Sequence, residues 1–170
     1  AGGVTTTTAL ITGASGLVGV PVVAALARRG VKVRALVRRP LEPANENVDA
    51  VVVGSYAPAV VRDALAGVDV DVVVHLGASG VKPDEQDALG LVDGNVGITV
   101  ALLQAVRTRK FVYASSSAVY GRGRGALLTE DDARAPENVY GAAKAAAEDV
   151  GAVVARAQKI PFTVLRLFGV

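Results

Sequence analysis

The chain has 170 residues, the size of one domain, and its 51% share of hydrophobic residues is enough to form a buried core, which argues against a disordered protein. The charge is nearly balanced, with 18 Lys+Arg against 16 Asp+Glu, so a net charge of +2 gives little attraction for nucleic acid. The absence of cysteine excludes disulfides, thiolate nucleophiles and iron–sulfur clusters, and with a single histidine we predict no metal site.

Short apolar segments alternate with longer amphipathic segments along the chain, a pattern typical of a parallel sheet covered by helices. Strands are predicted at residues 7–12, 31–37, 50–53, 71–76, 110–114 and 162–167. Helices are predicted at residues 16–29, with a stripe of Val18, Val22 and Leu26, at 58–66, at 138–158, and along a stripe of Val92, Val96, Val100 and Leu103. Because such crossovers are short and right-handed, we expect an α/β fold with a doubly wound parallel sheet, the Rossmann fold, and ligands beyond the carboxyl ends of its strands.

Three glycines follow the first predicted strand, in the sequence TGASGLVG at residues 12–19. Gly13 permits a tight turn, Gly16 lets the backbone approach a pyrophosphate, and Gly19 lets the next helix pack closely on the sheet. The free N–H groups and the partial positive charge of the helix N-terminus would then face the phosphates. This pattern predicts a dinucleotide-binding loop, the alternative being an ordinary strand-to-helix turn.

The end of the second predicted strand bears on the choice of dinucleotide. NAD sites usually carry Asp or Glu about 20 residues beyond the glycine loop, whereas Arg at this place accommodates the 2′-phosphate of NADP. Arg38 and Arg39 occupy it here, and a guanidinium can pair with phosphate through two hydrogen bonds. We therefore predict NADP as the cofactor in preference to NAD, the alternative being that these arginines belong to a solvated edge.

A tyrosine and a lysine on the last predicted helix form a candidate proton-transfer pair. Tyr140 and Lys144 are four residues apart and so share one helix face. A nearby ammonium favours the phenolate form of a tyrosine, which can then exchange a proton with an alcohol or carbonyl while hydride moves to or from a nicotinamide. A hydroxyl at the end of the preceding strand could hold the same substrate oxygen.

Five motifs occur in order: TGASGLVG at 12–19, HLGA at 75–78, SSSAVYG at 115–121, the Tyr140/Lys144 pair and LRLFG at 165–169. Over residues 7–170 the sequence resembles the extended short-chain dehydrogenase/reductase family, in its NAD(P)-dependent epimerase/dehydratase group. The resemblance implies hydride exchange with a sugar-like, chiefly nucleotide-sugar, alcohol or carbonyl.

The resemblance also implies residue roles. Tyr140 is the acid/base, Lys144 holds the nicotinamide ribose, and Ser116 supplies the catalytic hydroxyl, with Ser117 as the alternative. The predicted cofactor-binding residues are Gly13, Ser15, Gly16, Leu17, Gly19, Arg38, Arg39, Leu76, Gly77, Ala78, Asn95, Tyr140 and Lys144. Asn95 would support the hydrogen bonds of the site, polar packing or capping being the alternative, and His75 is expected to be structural.

The sequence departs from the family pattern in three places. Gly54-Ser55 stands where the family often has Gly-Asp, so we expect a weaker or different adenine contact. Ser117-Ala118 stands where sugar dehydratases carry Asp-Glu, which disfavours 4,6-dehydration. The family builds most of its substrate portion after the sixth strand, where this sequence stops, so we expect a truncated protein whose substrate-binding portion is largely missing.

We therefore predict an NADP-dependent oxidoreductase or epimerase domain acting on a small-molecule, sugar-like substrate. The alternative is a dinucleotide-binding module or fragment with no catalytic activity of its own. One domain is expected over residues 1–170, with residues 1–6 disordered or foreign to it. A homodimer is expected through the two long helices, because the second is rich in alanine.

The cellular location of the protein is predicted from the targeting and membrane signals that its sequence lacks. No apolar run is expected to reach the roughly 18 residues of a membrane span, and residues 1–8 lack the basic start and apolar stretch of a signal peptide. A chain without cysteine suits a reducing compartment. We predict a cytoplasmic protein with no membrane partner and no nucleic-acid partner.

Overall fold

A computed structural model describes residues 6–41, 46–80, 87–122 and 127–169, so the prediction for residues 1–5 lies outside the described residues. Six strands form one sheet in the order β3-β2-β1-β4-β5-β6, and all neighbouring strands run parallel. The strands are β1 Thr8–Thr12, β2 Lys32–Val37, β3 Val48–Val52, β4 Asp69–His75, β5 Arg107–Ser116 and β6 Phe162–Leu167. The predicted doubly wound parallel sheet is confirmed.

Five α-helices connect these strands in the described residues. They are α1 Gly19–Arg28, α2 Pro58–Ala64, α3 Ala88–Val92, α4 Ile98–Ala105 and α5 Val139–Ala157. A π-helical turn, Asp93–Gly97, joins α3 to α4, and a 3-10 helix, Ser117–Tyr120, follows β5. Residues of α2, α4 and α5 pack on one face of the sheet around Leu10 and Phe111, and α1 packs on the other face around Ile11.

The helix faces that contact the sheet differ from the predicted stripes. In α1 the buried residues are Gly19, Val23 and Ala27, one position beyond each residue of the predicted stripe. The small side chains of Gly19 and Ala27 let the helix backbone approach the sheet, and Val18, Val22 and Leu26 lie half-buried beside them. Hydrophobic periodicity alone could not identify the buried face of α1, because apolar residues lie on both sides of the line of contact with the sheet.

The helical stretch Ala88–Ala105 corrects two sequence predictions. Of the predicted stripe, Leu103 is buried and Val96 packs against the core, whereas Val92 is exposed. Leu91, Ile98 and Leu102 are buried as well, since the stretch is apolar nearly all round and the π turn shifts its register. With 18 residues and a mean hydropathy of 1.4, it is also long and apolar enough to cross a membrane by length and composition. It is 44% buried and packs against α2 and α5.

Candidate functional site

A cleft of about 530 Å³ lies at the carboxyl ends of the central strands. This is the position at which open α/β sheets bind ligands, and the volume suits a small-molecule ligand. The predicted residues that line the cleft are Gly13, Ser15, Gly16, Leu17, Gly19, Arg38, Leu76, Gly77, Ala78, Ser116, Tyr140 and Lys144. The structure thus brings the glycine turn, the end of β5 and the start of α5 to one cavity.

The glycine turn between β1 and α1 has no room for a side chain at Gly13 or Gly19. Gly13 has a φ of +67°, and a Cβ added to it would lie 2.6 Å from the backbone nitrogen of Gly77. A Cβ on Gly19 would lie 2.0 Å from the carbonyl oxygen of Gly13. The N-terminus of α1 carries no side-chain cap, and the Val20 N–H donates a hydrogen bond to the Gly16 carbonyl oxygen at 3.0 Å, so the partial positive charge of this helix end faces the cleft without a side chain over it. These features fit a bound pyrophosphate.

The loop after β4 is tied to the glycine turn by a buried threonine. Thr12 Oγ1 accepts a hydrogen bond from the Gly77 N–H at 3.1 Å and lies 2.5 Å from His75 Nδ1. Because Thr12 ends β1 and His75 ends β4, these contacts hold together the two loops that line the cleft. Thr12 was not among the residues predicted for the site, since a threonine in a β-branched strand carries no distinctive signal.

His75 is a buried, uncharged residue of this region. Burial, and then the nearby charge of Lys144, lower the pKa of His75 to about 3. Its Nε2 atom is buried and has no hydrogen-bond partner among the described residues. The ring lies against Phe111 and Tyr113, with centroid distances of 6.2 and 5.6 Å. These contacts agree with a structural role for this histidine.

Lys144 lies buried at the base of the cleft. Its Nζ donates a hydrogen bond to the Ala114 carbonyl oxygen at 2.5 Å and lies 4.3 Å from the centre of the Tyr113 ring. Burial lowers the pKa of Lys144 to about 8, an effect that the nearby Glu148 carboxylate opposes. An ammonium has three N–H donors, so Lys144 keeps capacity to bind a ligand hydroxyl.

The backbone around Tyr140 brings the start of α5 close to the residues that follow β5. Asn138 caps α5 by accepting a hydrogen bond from the Gly141 N–H at 2.7 Å. A Cβ on Gly141 would lie 2.4 Å from the Ala118 carbonyl oxygen, so glycine at this position permits the close approach. The glycine that permits this approach was visible in the sequence, where Gly141 directly follows the predicted acid/base residue.

Three consecutive serines at the end of β5 have different environments. Ser115 is buried and donates a hydrogen bond to Glu148 Oε1 at 2.5 Å. Ser116 is half-buried, lines the cleft and caps the 3-10 helix by accepting a hydrogen bond from the Ala118 N–H at 3.2 Å. Ser117 lines the cleft as well. Ser116 and Ser117 therefore both stay candidates for the catalytic hydroxyl.

The two arginines after β2 are placed differently. The Arg38 guanidinium lies 5.6 Å from the centre of the Tyr56 ring, and both residues line the cleft. Tyr56 donates a hydrogen bond to the Leu36 carbonyl oxygen at 3.2 Å, which fixes its ring beside the arginine. Arg39 is exposed and does not line the cleft. Tyr56 was not predicted, because a lone tyrosine after β3 fits no cofactor motif.

Asn95, predicted to bind cofactor, lies behind the cleft wall. It sits in the π-helical turn, is buried, and donates hydrogen bonds to the carbonyl oxygens of Ser79 at 3.0 Å and Leu91 at 2.8 Å. Its Oδ1 has no partner among the described residues. Since Ser79 lines the cleft, Asn95 contacts the wall of the cleft by way of that residue.

The parallel sheet, the glycine turn and the cleft at the strand ends define an α/β domain with the Rossmann fold. Residues 9–170 match the NAD dependent epimerase/dehydratase family, and the chain belongs to that family.

Relatives and solved structures extend this result. A UDP-glucose 4-epimerase of Lacticaseibacillus casei is 32% identical over 105 residues, which are 59% of this chain and 32% of that protein. A solved UDP-galactose 4-epimerase superposes with a TM-score of 0.81 at 29% identity, over 94% of this chain and 55% of the other. MoeE5, solved in complex with UDP-glucose and NAD, gives a TM-score of 0.74 at 31% identity, over 92% of this chain and 52% of the other. This chain therefore spans about a third of the first protein and about half of the two solved chains.

Proposed function

We propose that this domain binds a nicotinamide dinucleotide and uses it for redox chemistry on a nucleotide sugar, with Tyr140 as general acid/base. An epimerase is the form that the relatives favour, since the UDP-glucose 4-epimerases of Lacticaseibacillus casei and Lactobacillus helveticus are 32% and 34% identical over the matched residues. The same similarity favours an enzyme over a binding module without chemistry of its own.

One observation carries the proposal: the glycine turn, Ser116, Tyr140 and Lys144 line the same cleft. When bound, the dinucleotide supplies the carbon that accepts or donates hydride. Tyr140 takes the proton of the substrate hydroxyl as it is oxidised and returns a proton as the carbonyl is reduced. Ser116, or Ser117 beside it, donates a hydrogen bond to the same oxygen.

Lys144 holds the cofactor beside the tyrosine in this scheme. Its free N–H donors bind a ribose hydroxyl, and it lies one helical turn from Tyr140 on the same face of α5. Since burial lowers the pKa of Lys144 to about 8, the ammonium is lost as the pH rises through that value in the cofactor-free protein. We therefore expect cofactor binding to weaken above pH 8.

Replacing Tyr140→Phe tests the mechanism. Because this change removes only the hydroxyl, turnover of UDP-glucose or UDP-galactose should fall by at least about 100-fold, while cofactor affinity stays near that of the native protein. Conversion is followed by NMR of the sugar, in this chain and in any longer protein that contains it. Full activity of the Phe variant would refute the mechanism, and a native protein that binds cofactor without turnover would support the binding-module alternative.

We propose that Arg38 contacts the 2′ position of the adenosine ribose, so that the protein accepts NADP as well as NAD. The position of Arg38 in the cleft supports this contact, whereas the NAD in the MoeE5 complex gives no support to the predicted preference for NADP. Arg38→Asp should weaken NADP binding by about tenfold relative to NAD binding, and Arg39→Asp, outside the cleft, is the matched control. Equal losses for both dinucleotides in calorimetric titrations would contradict this role.

Self-association is proposed as well. Exposed apolar side chains on α3 and α5 support the predicted homodimer, namely Leu89, Val92, Val139, Val150 and Val153. The alanines that suggested it contribute less than expected, since Ala143 and Ala147 are buried within the chain. Light scattering that gives the mass of one chain would contradict the homodimer. The cytoplasmic location stays a prediction.

A further inference from the structure

A group of charged side chains lies behind the cleft, where α5 contacts β5 and β6. At its centre is Glu148, whose side chain is only 5% exposed. Its carboxylate accepts hydrogen bonds from Ser115 Oγ at 2.5 Å, Arg166 Nη2 at 2.8 Å and Arg134 Nη1 at 3.2 Å. A buried carboxylate with three such donors is fixed in one orientation, because its lone pairs are directed at groups on separate elements.

Arg166 extends this network to the segment that follows Ser116. Its Nη1 donates hydrogen bonds to the Tyr120 hydroxyl at 2.6 Å and to the Glu130 carbonyl oxygen at 3.1 Å. Its guanidinium also lies 4.9 Å from the centre of the Tyr120 ring. Tyr120 ends the 3-10 helix that Ser116 caps, so Arg166 connects β6 to the residues that shape this side of the cleft.

Arg134 attaches the segment before α5 to the helix itself. It donates hydrogen bonds to the Ala145 carbonyl oxygen at 3.1 Å and to the exposed Asp149 carboxylate at 2.7 Å. With Glu148 and Arg166, these residues form a cluster of two carboxylates and two guanidiniums, whose charges balance. A balanced, hydrogen-bonded cluster can hold the elements together with no charge left uncompensated.

The position of Glu148 relates this cluster to the proposed catalytic residues. Tyr140, Lys144 and Glu148 recur every four residues and share one face of α5. On β5, Ser115 immediately precedes Ser116 and lies in register with Arg166 of β6. Contacts made by one carboxylate therefore link the strand that carries Ser116 to the helix face that carries Tyr140 and Lys144.

We propose that Glu148 is a positioning residue, which acts through Ser115 and Arg166 to hold Ser116 opposite Tyr140 and Lys144. This role rests on the proposed function, because that function defines the three residues as a set. Glu148 also affects Lys144 electrostatically. The titratable groups around the Lys144 ammonium are His75 from β4, Tyr113 from β5, and Tyr140 and Glu148 one turn away on α5. Of these, the Glu148 carboxylate raises the pKa of Lys144.

Glu148→Gln tests the electrostatic part, because glutamine keeps the size and one acceptor oxygen but not the charge. The titration of Lys144 is followed by NMR of lysine labelled with ¹³C and ¹⁵N, and its signal is assigned with Lys144→Arg. We expect the midpoint to move below the native value by about one pH unit, since the opposing charge is gone. Asp149→Asn is the matched control, because Asp149 binds Arg134 as Glu148 does but does not contact Ser115. This variant should leave the Lys144 midpoint unchanged.

Ser115→Ala tests whether Glu148 positions the end of β5. This variant keeps the ion pairs of Glu148 with Arg134 and Arg166, so the fold should persist even if Glu148→Gln unfolds the protein. Amide hydrogens of residues 115–118 should exchange at least about threefold faster, because the end of β5 loses its hydrogen bond to Glu148 on α5. Turnover should fall in kcat with KM little changed. Native exchange in Ser115→Ala, or a native Lys144 midpoint in a folded Glu148→Gln, would overturn the proposal. Neither the exchange nor the titration needs turnover, so an inactive native chain would count against the proposed function alone.

Discussion

Among single residues, His75 makes the most unusual demand on the fold, since a strand in the sheet centre buries a titratable ring beside an ammonium. Its pKa of about 3 lies below the ordinary value of 6.5, because burial disfavours the charged ring. The folded state therefore excludes a proton that the unfolded state binds. The stability that this neutral ring confers is present above about pH 6.5 and is lost as the pH falls toward 3.

NMR can check this directly, because His75 is the only histidine of the chain. We expect the carbon-bound protons of its imidazole to keep the chemical shift of the neutral form from pH 8 down to pH 5, because the ring is buried in contact with Thr12 and Tyr113. Thr12→Val serves as a comparison, since it removes the hydroxyl near Nδ1 and leaves the burial. A midpoint near 6.5 in the native protein would show that the ring is accessible to water.

Residues that a motif carried could be placed at the cleft from the sequence, while their roles stay predictions. Gly13, Gly19, Tyr140 and Lys144 line the cleft because their spacing reflects backbone geometry and helix periodicity, both of which are local. Glu148 and Arg166 were missed, although Glu148 follows Lys144 by four residues. Their contact joins positions 18 residues apart, and only the packing of α5 on β6 shows that the two side chains meet.

The order of the helices and strands along the chain could be predicted from the sequence, but the helix face that contacts the sheet could not. Every predicted strand overlaps an observed strand, because apolar runs between turn residues are a local signal. The contact face of α1 was displaced by one residue, since close approach to the sheet selects Gly19 and Ala27 by their small size. The π turn at Asp93–Gly97 could not be predicted, because its extra residue per turn leaves no pattern in an apolar helix.

Helix α5 shows how element geometry supports the site. A face of small buried residues, which includes Ala143, Ala147, Gly151 and Ala155, lies against the sheet. A Cβ on Gly151 would come within 2.7 Å of the Phe162 ring. The helix can therefore lie this close to β6 only because residue 151 is a glycine. This close packing brings Lys144 within reach of the Ala114 carbonyl oxygen and Glu148 within reach of Arg166.

In the whole molecule, the cleft is formed where two loops and a strand end meet. The turn after β1, the loop after β4 and the end of β5 converge because parallel strands place their carboxyl ends at one edge. The chain spans about half of the solved UDP-galactose 4-epimerase, so activity and substrate choice are proposals, whereas cofactor binding can be tested on this chain directly.

Dinucleotide titration of the native chain, Gly19→Ala and Gly54→Ala tests whether the cleft beside the glycine turn binds NAD. A Cβ on Gly19 would lie 2.0 Å from the Gly13 carbonyl oxygen and displace the turn, whereas a Cβ on Gly54 meets nothing within 4 Å. The crowding should destabilise Gly19→Ala by about 1–3 kcal/mol and weaken its binding of NAD by at least about tenfold. Calorimetry should show one NAD bound per chain for the native protein and for Gly54→Ala. A native chain that binds neither NAD nor NADP, or a Gly19→Ala variant that binds NAD as tightly as the native chain, would contradict the account.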